Sequence, residues 1–500
     1  MKTKWSKKLL MVTLSLSLFA PVLAACSKGE GEEAGQEKVL RIGTIYSYGG
    51  DDSYLRQQYT DIYEYTHPNV KIEFVSAIDN SNYRYEEPKP DQKQPDPFEE
   101  TKKLLSGPNA PDVMIMDTNV YKKLVRENML KQLDPMIQQD KFDTTDIVPT
   151  VMEGIKDLGD NNIYGLAPTF GSSALFYNKK FFTQNNIEPP KDGMSWEDVF
   201  TLARRLKSGD GANKKFGLQL NRWSGDPFYD MTGTYLSALQ LRMFDDKGDK
   251  MTVDTPAWEK AWSTFAKLVS EKVIPTQKDL QQDDSSNGRY NPLASDSFLS
   301  GKTAMTIADY SYVNDILDAN KNASKIKNFE KVDWDVVTLP THPEAPGIGG
   351  NIYLNNLMGI NAKAQNDKDA WDFIKFLNSE EWAKLKSRSS YEIVSRKKYI
   401  QPKDGLNYNI AAFYTLKPVT PNNQEMDLYN KYPNIYQVQE KGREIFQTVL
   451  DGKKSSAEGL KEWQKEGDKL LVEMKKNPGK PIGGGGEVMN GGTVEGVPAG

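Results

Sequence analysis

The chain has 500 residues, which is enough for two or three domains. Charged residues make up 27% of it and aromatic residues 10%, as in an ordinary globular protein rather than a disordered one. The formal net charge is -5, with acidic and basic residues interspersed, so a nucleic-acid binder that relies on a basic surface is excluded. The single cysteine excludes internal disulfides and thiolate zinc sites.

The first 25 residues have the pattern of a lipoprotein signal peptide. Four lysines precede an apolar run from residue 9 to 20, which is too short to span a bilayer stably. Leu23-Ala24-Ala25-Cys26 then matches the lipobox of bacterial lipoproteins, which predicts cleavage before Cys26 and a lipid on its thiol. The alternative is a plain signal peptide cut after Ala25, with Cys26 as a free thiol. We expect the chain to be lipid-anchored to the cell membrane, facing the extracellular side, with residues 26–37 as a flexible stalk.

The ordered part of the chain is predicted to begin with a βαβ unit. Val39–Ile45 is a short apolar strand, residues 54–65 have a helical pattern, and residues 70–75 alternate between apolar and polar side chains. Two strands that flank one helix pair in parallel, with a right-handed crossover. A helix at 98–105, a strand at 113–116 and a helix at about 120–126 follow after a Pro-rich surface loop at 86–97.

The middle of the chain continues this mixture of helices and strands. Ser195-Trp-Glu-Asp198 is a capping box, and Thr255-Pro256 begins a second amphipathic helix. Strands are predicted at 216–220, 334–339 and 356–360, a helix is predicted at 370–377, and residues 481–500 form a Gly-rich tail that we expect to be disordered. The fold class is therefore α/β with at least two lobes, in which ligands bind beyond the carboxyl ends of the parallel strands.

The common catalytic motifs are absent from the sequence. Both histidines, His67 and His342, precede proline, which rules out an HExxH zinc site. Gly301-Lys302-Thr303 is not a P-loop ending, because position 296 is Asp296 rather than glycine. We expect no cofactor, no metal and no enzymatic activity. An extracellular polysaccharide hydrolase or lyase that uses a pair of carboxylates is the remaining enzymatic alternative.

Several segments, taken in order, resemble one family. They are 104–113 (LLSGPNAPDV), 163–168 (IYGLAP), 174–179 (ALFYNK), 190–206, 244–248 (FDDKG), 297–306 (SFLSGKTAMT) and 370–377 (AWDFIKFL). Over most of residues 38–390 the chain resembles the family-1 extracellular solute-binding proteins of ABC importers, the maltodextrin-binding-like group. It is most similar to the large lipid-anchored members of Gram-positive bacteria. The loop at 86–97 and the region after about 395 depart from the family pattern.

The resemblance implies a periplasmic-binding-protein-like fold of two lobes with a ligand cleft between them. The expected N-terminal lobe comprises residues 38–174 plus 356–394, and the expected C-terminal lobe comprises residues 175–355 plus 395–480. Three hinge crossovers are expected near 174–178, 353–358 and 391–398. By this resemblance the chain is a monomer that closes on a small-molecule ligand and delivers it to separate ABC permease subunits in the membrane.

A carbohydrate cleft needs aromatic platforms together with groups that form directed hydrogen bonds. The ends of the predicted strands and the expected crossovers supply the candidate ligand residues Tyr46, Tyr48, Asp51, Asp117, Asn119, Thr169, Ser172, Arg222, Trp223, Asp226, Asp309, Tyr310, Asn351 and Tyr353. Asp117 has the alternative role of capping the next helix. We expect the ligand to be an oligosaccharide or a modified sugar; the alternative is a peptide or organic anion, with Arg222 as a carboxylate clamp.

Overall fold

The computed structural model describes residues 38–477 except for 82–94, 281–291, 294, 328, 351, 389–390 and 420–422. The predicted signal peptide, Cys26, the stalk, most of the Pro-rich loop, Asn351 and the Gly-rich tail lie outside the described residues. The strands are β1 (Lys38–Ser47), β2 (Val70–Asp79), β3 (Val113–Met116), β4 (Gly165–Leu166), β5 (Thr169–Phe170), β6 (Ser173–Asn178), β7 (Phe216–Gln219), β8 (Thr303–Asp309), β9 (Trp334–Val337), β10 (Ile348–Gly350), β11 (Leu357–Ile360), β12 (Ile393–Val394) and β13 (Lys417–Pro418).

The α-helices surround these strands. They are α1 (Ser53–Leu55), α2 (Asp61–Thr66), α3 (Pro97–Ser106), α4 (Thr118–Arg126), α5 (Asp134–Gln139), α6 (Pro149–Leu158), α7 (Lys179–Gln184), α8 (Trp196–Leu206), α9 (Pro227–Asp230), α10 (Pro256–Ser270), α11 (Gln277–Leu280), α12 (Tyr312–Lys321), α13 (Asp367–Leu377), α14 (Glu380–Lys386), α15 (Asn423–Lys431), α16 (Tyr436–Leu450) and α17 (Ser456–Lys476). Single turns of π-helix lie at Arg56–Thr60 and Met231–Tyr235.

The first lobe is built on a five-stranded sheet with the order β2-β1-β3-β11-β4. Strand β1 pairs in parallel with both β2 and β3, so the predicted parallel βαβ unit is confirmed. Strand β11 returns from a much later part of the chain and is antiparallel to β3 and β4. Strand β3 is fully buried, as expected for a strand at the centre of a sheet with both faces covered.

The second lobe is built on a four-stranded sheet with the order β7-β8-β6-β9. Successive residues of β6 face opposite sides of this sheet, because side chains alternate along a strand. Leu175 and Tyr177 pack into one hydrophobic cluster with α8 and α10, whereas Phe176 packs on the other side and stacks on Trp334 at 5.5 Å. Both faces of the sheet are therefore covered, which makes this lobe α/β like the first.

The chain passes between the two sheets twice, and a third passage leads from the first lobe to the C-terminal helices, which pack into the core of the second lobe. The first passage is at residues 167–172, because Ser173 already belongs to β6 of the second sheet; the expected position at 174–178 is therefore wrong by a few residues. The second passage ends before Leu357, and the third contains β12. Backbone pairing joins the three passages: Gly171 bridges Tyr353, and β5 pairs with β12. The remaining lobe boundaries stay a prediction.

Helix-capping signals in the sequence fix helix starts in the structure. The Ser195 side chain accepts a hydrogen bond from the Asp198 backbone N–H, and Asp198 accepts one from the Ser195 backbone N–H, so the predicted capping box is confirmed. Thr255 caps α10, with Pro256 in the first turn. These side chains satisfy backbone N–H groups that have no partner within the helix.

Candidate ligand-binding site

The carboxyl ends of the parallel strands in both lobes lie next to the passages between the lobes. Leu357, the first residue of β11 after the second passage, pairs with Met116 at the end of β3. Ser173, the first residue of β6 after the first passage, pairs with Asp309 at the end of β8. The loops that follow β3 and β8 therefore border the junction between the lobes, where ligands of such folds bind.

The first lobe presents a pocket of about 360 Å³ lined by three tyrosines. Tyr46, Tyr48 and Tyr54 are 43%, 74% and 67% exposed, so their rings are open to a ligand. Partial burial raises the pKa of the Tyr46 hydroxyl, and the nearby Asp117 carboxylate raises it further. Asp51 also lines the pocket and accepts a hydrogen bond from the Ser53 backbone N–H at 3.0 Å.

Asp117 and Asn119 follow β3 beside this pocket. The Asp117 carboxylate accepts hydrogen bonds from the backbone N–H groups of Asn119 at 2.8 Å and Val120 at 2.9 Å, so it caps α4. Helix capping is the alternative role that we predicted for Asp117 from the sequence. The Asn119 side-chain oxygen is buried and has no hydrogen-bond partner among the described residues, and Asn119 is not among the residues that line the pocket.

The second lobe presents a smaller pocket of about 230 Å³, which brings together Arg222, Trp223 and Asp309. The Trp223 side chain is 76% exposed, and one face of its ring lies 4.2 Å from the Arg222 guanidinium. The other side of the guanidinium lies 4.0 Å from the Tyr312 ring. Arg222 thus supports Trp223 by a cation–π contact, and the indole forms an open platform at the edge of the pocket.

The positive charge of Arg222 is already paired with carboxylates of the same lobe. Its Nε lies 2.9 Å from a carboxylate oxygen of Asp296, and its Nη1 pairs with Asp315. The Asp296 carboxylate is held in turn by the Tyr312 hydroxyl at 2.9 Å. Two acidic partners therefore neutralise the guanidinium that would have to clamp an anionic ligand.

Asp309 and Tyr353 connect the second lobe to the passages. The Asp309 carboxylate accepts a hydrogen bond from the Ser173 hydroxyl at 2.6 Å and another from the Tyr353 hydroxyl. Burial raises the pKa of Tyr353, and the Asp309 carboxylate raises it further. The Asp309 carboxylate and the Tyr353 hydroxyl therefore form a hydrogen-bonded pair where the second lobe meets the passages.

The structure places four other candidates away from open surface. Tyr310 is only 4% exposed, with Phe413 against its ring at 5.3 Å and the Lys403 amine over it at 4.6 Å, so the expectation of an open platform there is corrected. Asp226 caps α9 and forms an ion pair with Arg443 at 2.5 Å. Buried Ser172 donates to the Phe413 carbonyl oxygen.

The fourth of these, Thr169, belongs to a hydrogen-bonded group that sequence reasoning missed. The Glu392 carboxylate accepts hydrogen bonds from the Thr169 hydroxyl at 2.5 Å and from the Asn356 amide at 3.0 Å. The three residues come from the three different passages, so one carboxylate joins all of them. No sequence pattern links Thr169 to Glu392, which lies more than 200 residues later. Tyr54 was missed for another reason: it belongs to the short helix α1, just after the loop that follows β1 and carries Tyr48.

Two kinds of feature are missing from the part of the chain that the structure describes. It contains no group of three or more His, Cys, Asp or Glu side chains arranged to hold a metal ion. None of its helices is both long and apolar enough to cross a membrane.

Comparison with known proteins gives consistent matches over most of the chain. The sequence profile described as bacterial extracellular solute-binding protein matches residues 46–384. A putative binding protein of Brucella abortus is 22% identical over 323 residues, which cover 64% of this chain and 70% of the relative. The sn-glycerol-3-phosphate-binding periplasmic protein of Escherichia coli is 22% identical over 361 residues, covering 67% and 74% respectively.

A solved structure shows the same fold. The sugar transporter of Rhizobium etli, in an open conformation, superposes with a TM-score of 0.58 at 20% identity and covers 86% of this chain and 99% of its own. The resemblance found in the sequence segments and the two-lobed α/β fold are therefore confirmed, and both belong to binding proteins rather than to enzymes. With its profile match extending over residues 46–384, this chain belongs to the family of bacterial extracellular solute-binding proteins.

Proposed function

We propose that the chain is a lipid-anchored extracellular binding protein that captures a carbohydrate, either an oligosaccharide or a modified sugar, and delivers it to an ABC permease. Binding a small solute for a permease is the function of the family. The sugar class and the anchor at Cys26 are the finer parts of the proposal.

The observation that carries the sugar class is the pair of open aromatic surfaces in the two lobes. The first lobe offers Tyr46, Tyr48 and Tyr54, and the second offers Trp223 on its Arg222 support. Sugar rings have apolar C–H faces that stack on aromatic rings, and their hydroxyls need polar groups nearby, such as those of Asp51 and Asp309. A ligand that touches both surfaces favours the closed arrangement of the lobes by its differential affinity.

The charges around the pockets favour a neutral ligand over an anion. The described lining of the first pocket includes Asp51 and Asp52 and no cationic side chain. In the second pocket Arg222 is paired with two carboxylates, and Asp309 adds a further negative charge. A phosphate ester, as in the name of the Escherichia coli relative, or the carboxylate of a peptide would meet acidic groups at both surfaces.

The test is isothermal titration of the purified chain with neutral sugars, oligosaccharides, phosphate esters, organic acids and peptides, with product analysis of every binder. We expect a neutral sugar to bind without turnover. A response confined to anions or peptides contradicts the proposed sugar class, and turnover contradicts the binding function. Release of the protein from the membrane fraction by Cys26→Ser tests the anchor separately.

Trp223→Ala tests the site itself. Because the ring is exposed and its removal opens no cavity in the core, we expect sugar affinity to fall about fivefold or more, or about 1 kcal/mol, with an unchanged melting temperature. Tyr65→Ala is the matched control, since Tyr65 is also exposed, at 87%, but lies at the end of α2 outside both pockets. If Trp223→Ala and Tyr65→Ala bind the sugar with equal affinity, Trp223 does not belong to the binding site.

A further inference from the structure

A pocket of about 490 Å³ lies in the second lobe, at the end of its sheet that points away from the ligand cleft. Strand β6 runs between the two sites: Ser173 at its start lines the Trp223 pocket, and Asn178 at its end lines this one. Five steps of extended chain span about 16 Å. We call this cavity the far-end pocket, and a ligand in it would occupy a site separate from the cleft.

Lysines dominate the charged lining of the far-end pocket. They come from three different segments of the chain and are Lys180, Lys215, Lys327 and Lys331. The one carboxylate in the described lining, Glu330, forms an ion pair with Lys180. Positive charges therefore exceed negative ones by three in this lining, although the whole chain has a net charge of -5. Such a lining attracts an anion.

The kind of cation favours a phosphate group over a carboxylate. The described lining contains lysines and no arginine. Arginine pairs with a carboxylate through a planar fork of donors, whereas the lysine amine is a compact point charge that commonly binds phosphate. A phosphate monoester carries about -1.5 to -2 charges at pH 7, which matches two of the lysines that surround the pocket.

Ser300 supplies a hydrogen-bonding group to the same pocket. It lines the cavity just before β8, and its side-chain oxygen is buried without a hydrogen-bond partner among the described residues. A hydroxyl group can donate to a phosphate oxygen. A bound phosphate would therefore satisfy a polar atom that the described part of the chain leaves unsatisfied.

The floor of the far-end pocket is apolar. Phe181 and Leu299 are buried there, and half-buried Phe329 stands beside them. The Lys215 amine lies 5.1 Å from the centre of the Phe181 ring, so the cationic and apolar parts of the lining adjoin. Inorganic phosphate alone would leave this apolar surface in water, whereas an ester with an apolar body would cover it.

We propose that the far-end pocket binds a phosphate monoester with an apolar body, whose phosphate contacts the lysines and Ser300 while the body lies on Phe181 and Leu299. This site is additional to the carbohydrate cleft, and its ligand does not depend on the function proposed for the cleft. A soluble phosphate ester and the head of a membrane phospholipid share this chemistry, so the experiment treats them as separate sources.

The experiment is isothermal titration of the full chain carrying Cys26→Ser with phenyl phosphate, inorganic phosphate and benzyl alcohol. We expect phenyl phosphate to bind about tenfold more tightly than inorganic phosphate, because its ring covers the apolar floor, and benzyl alcohol not to bind. If phenyl phosphate does not bind, or binds no more tightly than inorganic phosphate, the proposal is wrong.

Variants of the lining locate the binding site. We expect the double variant Lys327→Glu/Lys331→Glu to weaken phenyl phosphate binding about tenfold or more. Lys247→Glu/Lys250→Glu is the matched control, because it makes the same change of charge at exposed lysines of the same lobe outside the pocket. Equal affinities of the two double variants would place the phosphate elsewhere and overturn the proposal.

Ser300→Ala tests the pocket without altering its charge. Because the Ser300 hydroxyl has no hydrogen-bond partner among the described residues, we expect an unchanged melting temperature and an affinity for phenyl phosphate about threefold lower. Sugar binding, measured in parallel, should be the same in this variant as in the parent, since the cleft is about 16 Å away. A chain that binds phenyl phosphate but no sugar would contradict only the function proposed for the cleft.

Vesicles distinguish the two sources of the phosphate. Phosphatidylcholine vesicles are prepared with and without phosphatidic acid and are sedimented with the Cys26→Ser chain. A phospholipid is the ligand if the vesicles with phosphatidic acid carry down this chain but not its Lys327→Glu/Lys331→Glu variant. A soluble ester is the ligand if phenyl phosphate binds and neither kind of vesicle carries the chain down. Equal sedimentation of the chain and the lysine variant with phosphatidic acid would count against the pocket.

Discussion

Asp230 is a buried carboxyl group that forms no ion pair within the described part of the chain. Its side chain sits in the second lobe with only 5% exposure, and one of its oxygens has no hydrogen-bond partner among the described residues. Burial and, to a smaller extent, the neighbouring Asp226 carboxylate raise the pKa of Asp230 to about 8, and a hydrogen bond with Ser224 opposes the shift. The folded chain therefore keeps a proton that the unfolded chain releases near pH 4.

A proton held only by the folded state makes its stability depend on pH. The contribution of Asp230 is fully present below about pH 4 and is lost as the pH rises through about 8, because ionising the buried group costs desolvation energy. We expect the free energy of unfolding of Asp230→Asn, relative to the parent, to improve by a few kcal/mol between pH 5 and pH 9. Urea melts at both pH values measure this, with the exposed Asp210→Asn as control. Parallel pH profiles of the parent and Asp230→Asn would contradict it.

At the scale of single elements, helix α8 depends on its capping box. The Ser195 hydroxyl and the Asp198 carboxylate satisfy backbone N–H groups at the helix start, and Trp196, Val199 and Ala203 then pack into the core. We expect Ser195→Ala to lower the free energy of unfolding by about 1 kcal/mol, and Ser195→Asn, which also caps, to cost much less. Denaturant melts measure the free energy of unfolding of both variants. If Ser195→Ala and Ser195→Asn lose the same amount, the cap does not stabilise the N-terminus of α8.

Elements of this kind were predictable from the sequence because their signals are local. Capping residues, apolar alternation and prolines place β1, β3 and α10 within a few residues of the observed bounds. The first passage was misplaced because its position came from the resemblance alone. Every residue of β6 is buried, so the apolar pattern of this strand does not show which sheet it joins. Tyr310 was misassigned for a different reason: its covering residues, Lys403 and Phe413, come from a later segment whose packing no local pattern reveals.

At the scale of the whole molecule, the two lobes are joined by more than the three passages. The Lys417 amine lies 2.8 Å from the Glu153 carboxylate of α6, and the Thr150 hydroxyl of the same helix donates to the Tyr414 carbonyl oxygen at 3.0 Å. Helix α15 adds the Lys123–Asp427 pair while it packs through Leu428 into the core of the second lobe. The C-terminal part of the chain therefore ties the lobes together on one side, in addition to the passages through the hinge.

Breaking this tie should change how far the lobes open. The Asp427 side chain is 55% exposed and the Lys123 side chain 17%. An ion pair with a solvent-exposed partner is worth about 0.2 to 1 kcal/mol, which is small for folding but enough to shift an open–closed equilibrium up to about fivefold. We expect Lys123→Glu, which places like charges at Asp427, to widen the separation of the lobes in the ligand-free protein. The double variant Lys123→Glu/Asp427→Lys should restore the parent separation, because it re-forms the pair with its charges exchanged.

The measurement is the distance distribution between spin labels at Tyr65→Cys in the first lobe and Lys250→Cys in the second, in a Cys26→Ser background. Both label positions are exposed. Lys102→Glu is the control for charge reversal, since Lys102 is also a paired lysine of the first lobe but its partner, Glu127, belongs to the same lobe. If the single reversal at Lys123 leaves the distance unchanged, the hinge passages alone set the opening. If the distance changes and the double variant fails to restore it, the change does not come from the Lys123–Asp427 pair.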